Sequence, residues 1–239
     1  MKIQIKNRFD LKVIFECEAD SLRIAVELAI KQKTDLSGAN LSGANLYRAD
    51  LSMADLSRAD LSMADLSMAN LSMADLSMAN LSMANLSGAN LSGADLSGAD
   101  LSRASLSRAD LSMADLSMAN LSMADLSRAD LSMDNLSGAN LSMANLSKAN
   151  LYMADLSGAN LYGEKLDKNP IQLLGLRYFV MITKLQIQIG CEIHKVEEWE
   201  SFDDRRILEM DGKKALIWWR IYKPIIMSLH KEYYNNQES

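Results

Sequence analysis

From Ala59 to Met83 the chain reads ADLSMADLSMANLSMADLSMANLSM, one five-residue phrase written five times. The phrase, Ala-(Asp/Asn)-Leu-Ser-X, runs on in both directions. Its leucine recurs at every fifth position from Leu36 to Leu161, 26 times, and Leu166 extends the frame once more. Five suits neither regular structure. On an α-helix successive leucines would fall about 140° apart and spiral over every face. On a flat strand they would alternate between the two sides. A chain that turns a corner in each pentapeptide resolves the pattern, because Leu then always points to a central axis with Ala, two residues earlier, beside it. If each corner is about 90°, four pentapeptides close a coil, and stacked coils pair their backbones at the strand spacing of about 4.8 Å. Six and a half such coils make a rod roughly 31 Å long.

Units such as Ala39-Asn40-Leu41-Ser42-Gly43 and Ala64-Asp65-Leu66-Ser67-Met68 resemble those of pentapeptide-repeat proteins, over about 130 of the 239 residues. The resemblance implies a mainly β fold, a right-handed quadrilateral β-helix, across residues 34–166. It also implies that Leu and the residue two before it fill the core while the other three positions face out. The family includes DNA mimics that bind DNA gyrase through such a rod, which makes gyrase a candidate partner. Two features set this chain apart from the quinolone-resistance members: no loop interrupts its coils, and Leu replaces their frequent central aromatics.

The ends are different sequence. In residues 1–33, Ile3, Ile5, Val13 and Phe15 alternate with polar residues around Asn7-Arg8-Phe9-Asp10, which predicts a β-hairpin. Asp20, read as the N-cap, precedes a helix face of Leu22, Ala25, Val26, Ala29 and Ile30. Together they are expected to cap the open backbone edge of the first coil. Residues 167–239 predict a small α+β domain: strands over 177–182 and 185–189, a short helix at Val196-Glu197-Glu198-Trp199, then helices over 203–210 and 212–233. The stretch from Ile189-Gly190-Cys191 through His194, Trp199, Met210-Asp211-Gly212 and Trp218-Trp219 resembles a C-terminal module of phage or prophage pentapeptide-repeat proteins, and the N-terminal segment resembles their caps.

Nothing in the chain reads as catalytic. Cys191 and His194 stand close, but no second pair completes a zinc site, and spacing alone does not make a nucleophile and base. The Gly-rich run over 86–98 lacks the Gly-Lys-Ser/Thr of a phosphate loop. No enzyme and no cofactor are therefore expected. Two cysteines, no signal-peptide core and no apolar run of membrane-spanning length predict a cytoplasmic protein with no disulfide framework and no membrane segment.

Function is then expected in the outward columns, where residues 20 apart stack. Before Leu, one column reads Asp35, Asp55, Asp75, Asp95, Asp115, Asn135, Asp155, and the others mix Asp with Asn. Carboxylates about 4.8 Å apart repel unless cations or a basic partner relieve them, and their spacing approaches the 3.4 Å or so per charge of a nucleic-acid strand. Turn chemistry alone also favours Asp and Asn at this position. After Ser, one column reads Met53, Met73, Gly93, Met113, Met133, Met153, a candidate hydrophobic ridge for a partner or a second rod. Another, Arg48, Met68, Gly88, Arg108, Arg128, Lys148, places positive charge opposite the acidic column. Residues 35–165 hold 7 Lys/Arg against 15 Asp/Glu, a net of −8, so the acidity of the chain belongs to the repeats.

The expected function is a non-enzymatic scaffold with an unknown protein partner and no direct nucleic-acid binding, able to form homo-oligomers through its caps. The alternative is antagonism of DNA gyrase or another DNA-binding protein by DNA mimicry. Two local expectations follow. Asp134, alone in an inward position otherwise held by Ala, should bulge outward, bond turn amides, or meet water or a cation. Gly after Ser suits positive φ, whereas corners at Met63, Met68 and Met73 should have negative φ.

Overall fold

The computed structural model describes residues 1–173 and 175–235 and divides into two compact units, 1–168 and 169–239. In the first, each pentapeptide residue before Leu bridges in parallel to its counterpart 20 residues on, as in Asp55↔Asp75 and Asn80↔Asp100. Four pentapeptides therefore make one four-sided coil. The 26 leucines from Leu36 to Leu161 are at most 2% exposed and the alanines beside them are buried too, so the core is a column of Leu and Ala layers.

The N–H groups of a unit explain why this phrase folds this way. Within Ala64–Met68, the Ala64 N–H closes the corner on the Leu61 carbonyl (3.1 Å). Asp65 donates back to Ala44 (2.9 Å), while Leu66 and Met68 donate forward to Asn85 (2.7 Å) and Ser87 (3.0 Å). The fifth, on Ser67, is taken by the Asp65 side chain (Oδ1, 3.1 Å). All five donors are satisfied, three of them by neighbouring coils. Asp or Asn stands before Leu because only a short side chain with an acceptor oxygen reaches the Ser N–H two residues on.

The corners depart from the sequence expectation. Every residue two after Leu from Gly38 to Gly163 has positive φ, including Met63 (56°), Met68 (60°) and Met73 (58°). Ser itself is not among the positive-φ residues, and the turn closes from Ala N–H to Leu carbonyl, the type II pattern. Left-handed backbone costs an L-residue about 1–2 kcal/mol. It persists because a negative φ would turn the Met N–H away from the Ser carbonyl it reaches in the next coil. Stacking, not residue preference, sets the corner.

Strand β1 (Lys2–Lys6) pairs antiparallel with β2 (Val13–Glu18), and helix α1 spans Leu22–Lys31. The N-cap of α1 is Ser21, whose side chain accepts from Ile24 N–H; Asp20 lies one residue too early. The hairpin meets the first coil through Asn40 N–H to the Lys6 carbonyl (2.8 Å) and Arg8 N–H to the Gly38 carbonyl (2.7 Å), and Glu27 of α1 accepts from Asp50 N–H. At the other end β3 (Asn140–Leu141) pairs in parallel with β4 (Asn160–Leu161), which pairs antiparallel with β5 (Glu164–Lys165). Tyr162 and Gly163 both have positive φ, a type I′ reversal that stops the coiling.

The second unit is a four-stranded antiparallel meander, β6 (Ile171–Leu173), β7 (Val180–Ile182), β8 (Gln186–Ile189) and β9 (Glu192–Lys195), followed by α2 (Val196–Ser201) and α3 (Asp204–His230). The flanking strands β6 and β9 were not legible in the sequence. Helix α3 is broken at Asp211–Gly212, where Gly212 adopts φ 66°, ψ −163°. That region is open essentially to glycine alone. The core joins Val180, Ile182 and Ile187 to Trp199, Ile207, Trp219 and Ile226.

Candidate functional site

The acidic column forms one continuous ladder. Asp55, Asp75, Asp95, Asp115, Asn135 and Asp155 are successive bridge partners, and Asp35 begins the same side one coil earlier. Each of these aspartates first serves its own turn: Oδ1 accepts from Ser37 N–H at Asp35 (2.7 Å), from Ser77 at Asp75 (2.9 Å) and from Ser117 at Asp115 (2.8 Å). The Ser37 hydroxyl and N–H together lower the pKa of Asp35. A carboxylate has acceptor sites to spare beyond that one bond.

Asp and Asn are not interchangeable in this stack. On the other sides an Asn often follows an Asp one coil later and donates Nδ2 to the Oδ1 below, as Asn70 does to Asp50 (3.1 Å), Asn80 to Asp60 (3.2 Å) and Asn120 to Asp100 (3.2 Å). Such a pair replaces repulsion with a charge-assisted bond. On the acidic side five aspartates pass, from Asp35 to Asp115, before Asn135 provides one (3.1 Å). The signal was available in the sequence, in the order of Asp and Asn at 20-residue spacing.

The methionine ridge borders this ladder, a relation that reading columns separately had missed. Met53, Met73, Met113 and Met153 each stand two residues before an acidic position, at the corner from which the chain enters the acidic side, and Met133 stands likewise before Asn135. They are well exposed, from 53% at Met133 to 79% at Met53. Methionines on the other corners are exposed as well, so exposure does not single out this ridge; its freedom from charge between Met53 and Met153 does, with Lys33 standing at the head of the column beside Asp35. Met73 lies across the bare corner of Gly93, its sulfur 2.5 Å from where a Cβ would stand. The basic residues Arg48, Arg108, Arg128 and Lys148 occupy the corner between the side opposite the acidic one and the side that leads into the ridge, and none of them enters an ion pair among the described residues.

Asp134 lies inside the coil beneath Met133 and Asn135. It does not bulge outward. Its side chain stays buried, Oδ1 accepts from the Ala114 N–H (3.0 Å), and Oδ2 finds no partner. Burial, reinforced by Asp130 and Asp110, raises its pKa to about 8 against the bond from Ala114.

In the second unit His194 Nε2 meets Glu192 (2.9 Å), and its ring sits edge-on to Trp199 and Phe202. Cys191 is an exposed free thiol. No group of His, Cys, Asp and Glu able to hold a metal ion occurs among the described residues, and no helix among them is long and apolar enough to cross a membrane.

A family model described as pentapeptide repeats matches the chain in eight copies, over residues 32–62, 54–93, 84–122, 94–132 and 124–163. Among solved structures, a pentapeptide-repeat protein from the thylakoid lumen of Arabidopsis thaliana is 36% identical over 36% of this chain and 60% of its own (TM-score 0.35). HetL from the cyanobacterium Nostoc, involved in regulating heterocyst differentiation, is 38% identical over 53% of this chain and 74% of its own (TM-score 0.24). QnrB1, a plasmid-mediated fluoroquinolone resistance protein, is 23% identical over 52% of this chain and 63% of its own (TM-score 0.38). The chain thus spans less than two thirds of the first and last of these proteins. No curated protein sequence matches it.

Proposed function

The chain belongs to the pentapeptide-repeat family, whose fold is the right-handed quadrilateral β-helix, and from that premise we propose that it is a non-enzymatic interaction scaffold. Its binding face is the strip of Asp35, Asp55, Asp75, Asp95, Asp115 and Asp155 with the ridge of Met53, Met73, Met113, Met133 and Met153. The observation that carries this reading is the run of five stacked aspartates without an intervening Asn, beside an apolar edge that is free of charge from Met53 to Met153. Such a face fits a basic protein surface that offers apolar ground at its margin: charge sets approach and register, thioethers adapt to shape. In the same proposal the hairpin and α1 close the first coil, the second unit is a capping and interaction domain of phage or prophage type, and the protein acts in the cytoplasm.

The unbroken ladder also favours a second reading, in which the strip presents a DNA-like row of charge to DNA gyrase or another DNA-binding protein. Exchanging Asp75, Asp95 and Asp115 for Asn keeps an acceptor for each Ser N–H while removing three charges. Folding should persist or improve. Capture of the partner from lysate should fall and lose its salt dependence if the strip is the interface. If the unmodified protein leaves gyrase supercoiling unchanged at micromolar concentration and low salt, gyrase is ruled out as that partner. Full retention of every captured protein by the triple variant would overturn the strip itself.

A further inference from the structure

Most of the residues of the second unit that stood out in the sequence, among them Gly190, Cys191, Met210 and Asp211 but not His194 or Gly212, line one cavity of ≈ 300 Å³. Its walls include Tyr178, Trp199, Trp218 and Trp219, and its ionisable lining includes Glu192 and Asp211. The rings stand at angles to one another: Tyr178 and Trp218 are edge to face at 5.2 Å, and Trp199 and Trp219 are tilted by 45° at 5.1 Å. The break in α3 puts Asp211 here, where it accepts from the Tyr178 hydroxyl (2.6 Å), and Gly212 makes that break possible. No Lys, Arg or His lines the cavity. Two of its rings already attract cations of the protein from outside the lining: Arg177 stands 5.5 Å from the Tyr178 centroid and Lys223 5.4 Å from that of Trp219.

We propose that this cavity binds a small organic cation, an alkylated ammonium group. Aromatic faces attract such a cation while tolerating its methyl groups, which a purely ionic site would not reward. Asp211 supplies the opposite charge, while the Glu192 carboxylate is already met by His194 Nε2 (2.9 Å), which stands outside the lining. The volume lies at the small end of ligand pockets, suited to a head group or a side chain and not to a large cofactor.

The full-length protein carries its own reporters. Trp199, Trp218 and Trp219 respond by fluorescence, and Cys191, also in the lining, responds by alkylation with Cys17 in the first unit as internal reference. Choline is the probe, and its neutral isostere 3,3-dimethylbutan-1-ol is the control. Choline should shift the indole emission saturably and slow alkylation of Cys191 but not of Cys17, and it should bind about tenfold or more tightly than the alcohol. Asp211→Asn, which keeps an acceptor for Tyr178, should weaken choline several-fold and leave the alcohol unchanged. Equal binding of the two probes would overturn the proposal, as would protection of both cysteines alike, absence of a saturable response, or an unaltered affinity in Asp211→Asn with its circular dichroism intact.

Discussion

Asp134 shows how much one residue can impose on a repeat. Its carboxyl lies in the Leu and Ala core with one amide donor, so the folded state holds it protonated up to about pH 8. In the unfolded chain it ionises near pH 4. Because the folded pKa is the higher, Asp134 adds no ionisation penalty below about pH 4, weakens the fold progressively as pH rises, and reaches its full cost above about pH 8. At pH 7 the cost is about 4 kcal/mol. Asp134→Ala should therefore raise the melting temperature, by more at pH 8.5 than at pH 5.5, and Asp134→Asn should flatten the same pH dependence. A melting temperature that falls in Asp134→Ala at both values would show that the carboxyl makes a favourable contact. The sequence made this position conspicuous, because it alone breaks the Ala column. Which alternative it takes was not legible, since that depends on whether the Ala114 amide lies within reach.

At the scale of the element, the corner decides. Met63 at φ 56° adopts what its residue type disfavours because its N–H is claimed by Ser82 one coil on (3.0 Å). Met63→Gly should remove the left-handed strain and stabilise the protein by about 1 kcal/mol relative to Met63→Ala, which keeps it. Equal denaturation midpoints for the two variants would contradict a strained corner. Propensity reads residues one by one, and here bonds between coils outvote it. The same limit hid β6 and β9, whose three and four residues are too few to set a period, whereas β7 and β8 lie within longer runs rich in Ile and Val that were legible. The coil itself was readable because its period is long, regular and compatible with few backbones. The acidic and apolar columns were visible as well. Their adjacency was not, because it requires knowing which corner leads into which side.

For the molecule as a whole, charge and shape are written in multiples of four units. The repeats carry a net −8, the residues before them +2, and those after them none. Deleting residues 76–95, one full coil, should leave Asp75 stacked on Asp115 and keep the acidic strip. Deleting only residues 76–80 should preserve every corner and every Leu layer but stack Asp75 on Asp100, Asn120 and Asn140. Both variants should fold cooperatively by circular dichroism, and only the first should retain the partner captured through the strip. Equal capture by both would place recognition elsewhere. The source of this behaviour is the arrangement in which each N–H finds its acceptor within its own coil or the one beside it. Such a molecule has an inheritable length: a copying slip of sixty nucleotides adds or removes a storey without disturbing the face shown to a partner. A slip of fifteen nucleotides gives an equally sound wall with its windows on the wrong side.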